Sequence, residues 1–114
     1  MRYYGKDFWN AVHLLREHVP LSAPVTVRTV TAATLTQSHG EPCYGDCTPF
    51  EKDGAISHYR IRIARGMTVQ CAIDTVIHEF AHALDFDTSP NTHRDCHRQS
   101  WGAAYAQCYK AVFG

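Results

Sequence analysis

The sequence predicts a mixed α+β domain of 114 residues: an N-terminal helix, a small three-stranded antiparallel sheet, a long helix and a C-terminal helix. Three observations point there. Apolar residues recur at helical spacing near both ends, β-branched and alternating runs fill the middle, and the length suits one modest hydrophobic core.

In the first element, Phe8, Val12, Leu15 and Val19 share one helical face, and Pro20 with Pro24 stops the pattern, so about residues 6–18 read as an amphipathic helix. VTVRTV, Val25 to Val30, is β-branched and alternating and reads as a half-buried strand; the polar stretch Gln37 to Pro42 reads as a loop. A second extended run, Cys43 to Glu51, meets Lys52-Asp53-Gly54, where Asp-Gly supplies a turn. The third strand is His58 to Ala64, with Tyr59, Ile61 and Ile63 on one face and His58, Arg60 and Arg62 on the other. Thr68 can cap a helix that begins at Val69 and carries Ile73, Val76, Ile77, Phe80 and Leu84 at helical spacing. A loop from Asp87 through Pro90 to Arg94 follows, and Asp95 can cap a last helix bearing Trp101, Tyr105, Cys108 and Val112.

Composition narrows the function classes. The hydrophobic share of 45% and charged share of 19% are those of a globular domain, without an apolar run near the roughly 20 residues of a membrane span. Lys6 and Asp7 stand where a secretory signal would be apolar, so the expected compartment is the cytoplasm. Eleven basic and eleven acidic residues cancel, which leaves no whole-chain field for nucleic acid. Five cysteines, an odd set, are expected as reduced thiols.

The chemistry concentrates in HEFAH, residues 78–82. Residues four apart on a helix lie about 6 Å apart along its axis, so His78 and His82 can direct both imidazoles at one zinc ion about 2.0–2.1 Å from each. Glu79 is rotated to the flank, which suits a general base better than a ligand. Zinc acidifies its water and polarises a carbonyl, while Glu79 takes the proton during attack and returns it to the leaving amine. The pentad alone is a modest signal, but a pair of histidines on so apolar a helix needs partners or a metal to offset desolvation.

A catalytic zinc needs a third protein ligand and an open position. The metzincin pattern would require Gly at position 85 and His at 88, which are Asp85 and Thr88, and no Met follows Met67 to make a Met-turn. There is no Glu after Glu79. His97, His93 and the aspartates Asp85, Asp87 and Asp95 remain. His97 is preferred because it would stand in the first turn of the last helix, one turn before Trp101.

HEFAH preceded by AIDTVI and followed by HRQSWGAAYAQCYKAV resembles the SprT-like (Spartan-type) zinc metallopeptidase domain, particularly its short phage and prophage members. The YGDC run at Tyr44–Cys47 and the strand HYRIRIARGMT are similar to the part of that domain before its active-site helix, so the likeness spans about residues 25–112. It implies a minimal zincin-like fold, metal ligands His78, His82 and His97, and Glu79 as base. The zinc ribbon and DNA-binding segments of many members are not expected here, and the crosslink-repair role tied to them is not carried over.

Weaker signals surround the motif. Asp74 and Asp85 lie near the ligand face and are candidates to orient an imidazole. Tyr44, His58, His93 and Tyr105 are candidates to stabilise a developing oxyanion. Cys43 and Cys47 offer half of a second metal site if Cys96 or Cys108 approaches, and otherwise a packed thiol pair. Arg60 and Arg62 mark a groove for an added peptide strand, or a solvated face. The expected function is zinc-dependent hydrolysis of peptide bonds in a flexible or unfolded protein segment, with no membrane partner and no strong nucleic-acid signal. The rival is a non-catalytic interaction module with a structural or vestigial zinc.

Overall fold

Helix α1 (Gly5–His18) forms where the apolar spacing places it, burying Phe8, Ala11, Val12 and Leu15 along one face. The computed structural model describes residues 2–88 and 99–114. Three strands follow, β1 (Val25–Val30), β2 (Gly45–Lys52) and β3 (Ala55–Ala64), and between the first two stands a short helix, α2 (Ala32–His39). The chain closes with the long helix α3 (Val69–Thr88) and with α4 (Gln99–Phe113).

The sheet is mixed rather than antiparallel. Its order is β1-β3-β2. β3 lies in the centre, parallel to β1 and antiparallel to β2. The β2–β3 hairpin turns at Asp53-Gly54, both with positive φ (55° and 81°), as the Asp-Gly signal requires. The departure arises in residues 31–44. Val30 pairs with Ala64 and Gly45 with Ile63, so this connection crosses one end of β3 and leaves that strand between the other two.

Helix α2 makes part of that crossing, and its last residues, Gln37 to His39, fall in the stretch Gln37 to Pro42 that was expected as a loop. Thr31 caps it by accepting from the backbone N–H of Thr34 at 3.2 Å, and Gly40, at φ 77°, closes it in the left-handed conformation. Only Leu35 of this helix is buried, so it carries almost no apolar period. Helix α3 also runs further than expected, taking in Asp87 and Thr88. Thr68 caps its start, accepting from the Cys71 N–H at 3.1 Å.

Tyr59, Ile61 and Ile63 of β3 face inward, as their alternation predicts, and all are fully buried. Ile61 and Ile63 join Phe8, Val12 and Leu15 of α1, Ala72, Val76, Ile77 and Phe80 of α3, and Ala104 and Cys108 of α4 in one core. Each large side chain so enclosed contributes about 1.5–3 kcal/mol. The HEFAH helix is therefore fixed along its length against sheet and helices together. Asp87 pins its last turn, accepting from Tyr59 Oη at 2.8 Å and from the Ser22 N–H at 3.0 Å. Among the described residues no helix is long and apolar enough to cross a membrane.

Candidate metal centre

His78 and His82 stand one turn apart on α3, and their Nε2 atoms are 3.2 Å apart. Their rings meet edge to face, with centroids 4.9 Å apart. Two nitrogens each about 2.0–2.1 Å from one tetrahedral ion are about 3.3 Å apart, so the pair fits zinc without rearrangement. The same separation also suits an N–H···N hydrogen bond between neutral imidazoles. Trp101 of α4 covers both rings, its centroid 5.0 Å from His78 and 5.5 Å from His82.

Glu79 lies beside this pair, with Oε2 4.0 Å from His78 Nε2 and 8% of the residue exposed. Burial, with the negative charge of Asp46 as the second cause, pushes its carboxyl up to about 8. A cation at the imidazoles would act in the opposite sense and favour the carboxylate.

Gly45 explains how the strand comes so near. A Cβ there would lie 2.9 Å from Thr75 Cγ2, 3.0 Å from the Arg62 carbonyl oxygen and 3.3 Å from Glu79 Cγ. Only hydrogen fits, so β2 packs on α3 at the level of Glu79. In the sequence Gly45 stands within YGDC, whose residue pattern does not by itself assign it this role. A glycine inside a strand was the available signal.

Two cavities, of about 840 and 680 Å³, share His78, Glu79, Cys43 and Gly45 along their boundary. The larger is walled by Ala32 and Thr36 of α2, Met67, Cys71 and Tyr105. The smaller is walled by His39, Asp46, Pro49, His82 and Phe86. Glu79 thus sits midway along a two-sided cleft that borders the edge strand β2.

The other sequence candidates divide. Tyr105 and Asp74 line the larger cavity, and Asp74 accepts from Gln70 Nε2 at 3.1 Å. Tyr44 is at its rim, 67% exposed. Asp85, 2% exposed, is three positions beyond His82 on the same helix. His58 is not brought to the site. It lies on the opposite face of the sheet, stacked on Phe50 at 4.7 Å with Nδ1 2.8 Å from Ser57 Oγ. Arg60 and Arg62 share that face on the central strand, so β3 has no open edge to receive a peptide; Arg60 lies over the Phe50 ring and Arg62 pairs with Asp46. Asp87 is engaged by Ser22 and Tyr59.

His93, His97, Asp95 and Cys96 lie outside the described residues. Among the described residues no group of three or more His, Cys, Asp or Glu side chains comes together to hold a metal. Cys43, Cys47, Cys71 and Cys108 are free thiols. Burial raises the pKa of Cys43 and Cys47 and pushes Cys108 up to about 12, so these three are held as neutral thiols. No family model, curated protein or solved structure matches the chain.

Proposed function

We propose that this domain is a zinc-dependent metallopeptidase of minimal zincin-like type, cleaving peptide bonds in flexible or unfolded protein segments. The observation that carries the reading is the approach of the two HEFAH imidazoles to 3.2 Å beside the enclosed Glu79 carboxyl, at the middle of a two-sided cleft. Resemblance to SprT-like domains supports the same reading and nominates His97 as third ligand.

His78 and His82 would hold the ion. When bound, zinc supplies a Lewis acid and the acidification of water that makes hydrolysis possible near neutral pH. Glu79 accepts the proton of the attacking water at its carboxylate and delivers it to the departing amine. Trp101 limits the motion of both imidazoles. Val76, Ile77 and Phe80 of the same helix are buried in the core, which holds the helix that carries Glu79 in place. The two halves of the cleft take the chain on either side of the bond, and the edge position of β2 suits an extended segment.

The deciding experiment measures metal content and hydrolysis of an unfolded protein by wild type and by Glu79→Gln. Stoichiometric zinc in both, with activity in wild type alone, supports the reading. Zinc in both with no activity in wild type would make the site a structural module. Equal hydrolysis by wild type and the Glu79→Gln variant overturns the proposed base.

A further inference from the structure

We propose that Arg2, Arg16 and Arg65 form a binding site for a small phosphate-type dianion, outside the HEFAH cleft. The residues come from three distant parts of the sequence. The segment before α1 folds back onto the β3–α3 turn, where the Gly66 N–H donates to Tyr3 Oη at 3.0 Å and the Met67 N–H to Tyr4 Oη at 3.1 Å. This brings Arg2 and Arg65 to one cavity of about 430 Å³ with Arg16, Tyr3, Trp9 and Thr29.

Each guanidinium there is held by a neutral group. Arg2 lies over the Trp9 ring at 4.6 Å and Arg65 over the Tyr3 ring at 5.4 Å. Trp9 Nε1 donates to the Tyr3 carbonyl at 2.8 Å, which ties the two aromatic residues together. Arg65 Nε also donates to Thr29 Oγ1 at 3.2 Å. Arg16 donates from Nη2 and Nε to the Val25 carbonyl, at 3.0 and 3.3 Å. These partners order the side chains and leave their charge unneutralised.

Among the described residues no carboxylate lines the cavity, and none of the three arginines is in an ion pair. The chain as a whole has as many acidic as basic residues, so the imbalance is local. Burial and, after it, the charge of Arg2 lower the pKa of Arg16, in keeping with the cavity that the two cations share. Gathering like charges is unfavourable until an anion joins them. A phosphate group carries up to two charges and several oxygens in tetrahedral array, and planar guanidinium forks meet such oxygens in pairs. A monoanion such as chloride offers one contact point. The shared chemistry is the phosphate dianion, whether inorganic or as an organic monoester.

The test titrates inorganic phosphate and phenyl phosphate into the full chain at fixed ionic strength, by calorimetry and by thermal shift. One saturable site and a raised Tm are expected, weakened at least tenfold by Arg2→Gln and by Arg65→Gln. Arg28→Gln, on the opposite face of β1, leaves binding unchanged. Unchanged Tm of the variants without phosphate shows that they fold. Tighter binding of phenyl phosphate identifies an organic monoester as the ligand and equal binding identifies the inorganic ion; both uphold the site. Absence of saturable binding, full-strength binding by both variants, or equal competition by chloride overturns it. So does an oligonucleotide that binds where both phosphates fail.

Discussion

Glu79 and Asp46 are equally withdrawn from water, each 8% exposed, yet their carboxyl groups are driven in opposite directions. Among the described residues Glu79 has no guanidinium partner, and burial pushes it up to about 8. Burial also acts to raise Asp46, but Arg62 and His39 outweigh it and hold Asp46 below its ordinary value. Arg62 Nε donates to both Asp46 oxygens, at 3.0 and 3.1 Å, and His39 Nε2 lies 2.9 Å from Oδ2. One step along β2 separates the two settings. Gly45 faces Glu79, and Asp46, the next residue, points through the other side of the pleat. Equal burial therefore goes with a raised carboxyl where no guanidinium is paired and a depressed one where Arg62 and His39 are, although both residues border the smaller half of the cleft.

The largest expected effect tests the first half of that contrast. On the proposed peptidase reading, Glu79→Gln is expected to lower hydrolysis by about 10²–10⁴-fold, the usual share of a positioned general base, as read from kcat/KM on an unfolded substrate. Because the amide removes a carboxyl that burial already disfavours as a charge, the metal-free variant is at least as stable as wild type in urea unfolding. A substantial loss of stability would show that the Glu79 carboxylate is a structural anchor like Asp46.

Removing the partner on the other side has the opposite signature. Arg62→Met leaves Asp46 buried with only His39 to offset it, and costs about 3 kcal/mol in urea unfolding. Replacing both members, Asp46→Leu with Arg62→Met, recovers most of that loss, because two apolar groups need no pairing. Acid titration sharpens the point. Asp46 has a depressed folded pKa, so its stabilisation is complete above the unfolded carboxylate value of about 3.9 and is lost as pH falls through the lower folded value. Without Arg62 that contribution disappears, and acid unfolding begins at higher pH than in wild type.

These contrasts differ in how far the sequence reveals them. The imidazole pair was legible because its geometry is local: four residues on one helix define it, and the apolar spacing of Ile73, Val76, Ile77 and Phe80 identifies the helix. The inward face of β3 was legible for the same reason. Partner choice was not. The parallel pairing of β1 with β3 depends on the path of residues 31–44, where α2 has only Leu35 buried and so little period to read, although Thr31 and Gly40 carry its cap signals. Alternation put Arg62 on the outward face but could not join it to Asp46, 16 positions away, or to His39. Gly45 was visible as a glycine in a strand, and only the fold supplies Thr75 and Glu79 as the atoms it admits.

Gly45→Ala tests whether the close approach of β2 maintains the enclosed setting of Glu79. The added methyl meets Thr75 Cγ2 and the Arg62 carbonyl, and the overpacking costs about 1–3 kcal/mol. Strand and helix move apart, water reaches Glu79, and the proposed hydrolysis is expected to fall with stability. Combining it with Thr75→Ser removes the nearest contact and restores part of both. Restored stability without restored activity would mean that Glu79 owes its setting to something other than this contact.

The smallest effect concerns His39, the exposed member of the outer group, whose side chain is 41% exposed. A contact so open to solvent is worth about 0.5 kcal/mol, so His39→Gln barely moves the unfolding midpoint. Its consequence is local. His39 is the last residue of α2, and Ala32 and Thr36 on that helix wall the larger cavity, so releasing it from Asp46 loosens one side of the cleft. Hydrogen exchange is expected to quicken over residues 32–39 and to stay unchanged in α3, with KM for a peptide rising more than kcat falls. Faster exchange in α3 as well would show that the Asp46 anchor and the Glu79 helix are coupled mechanically through β2, beyond the charge effect of Asp46 on Glu79.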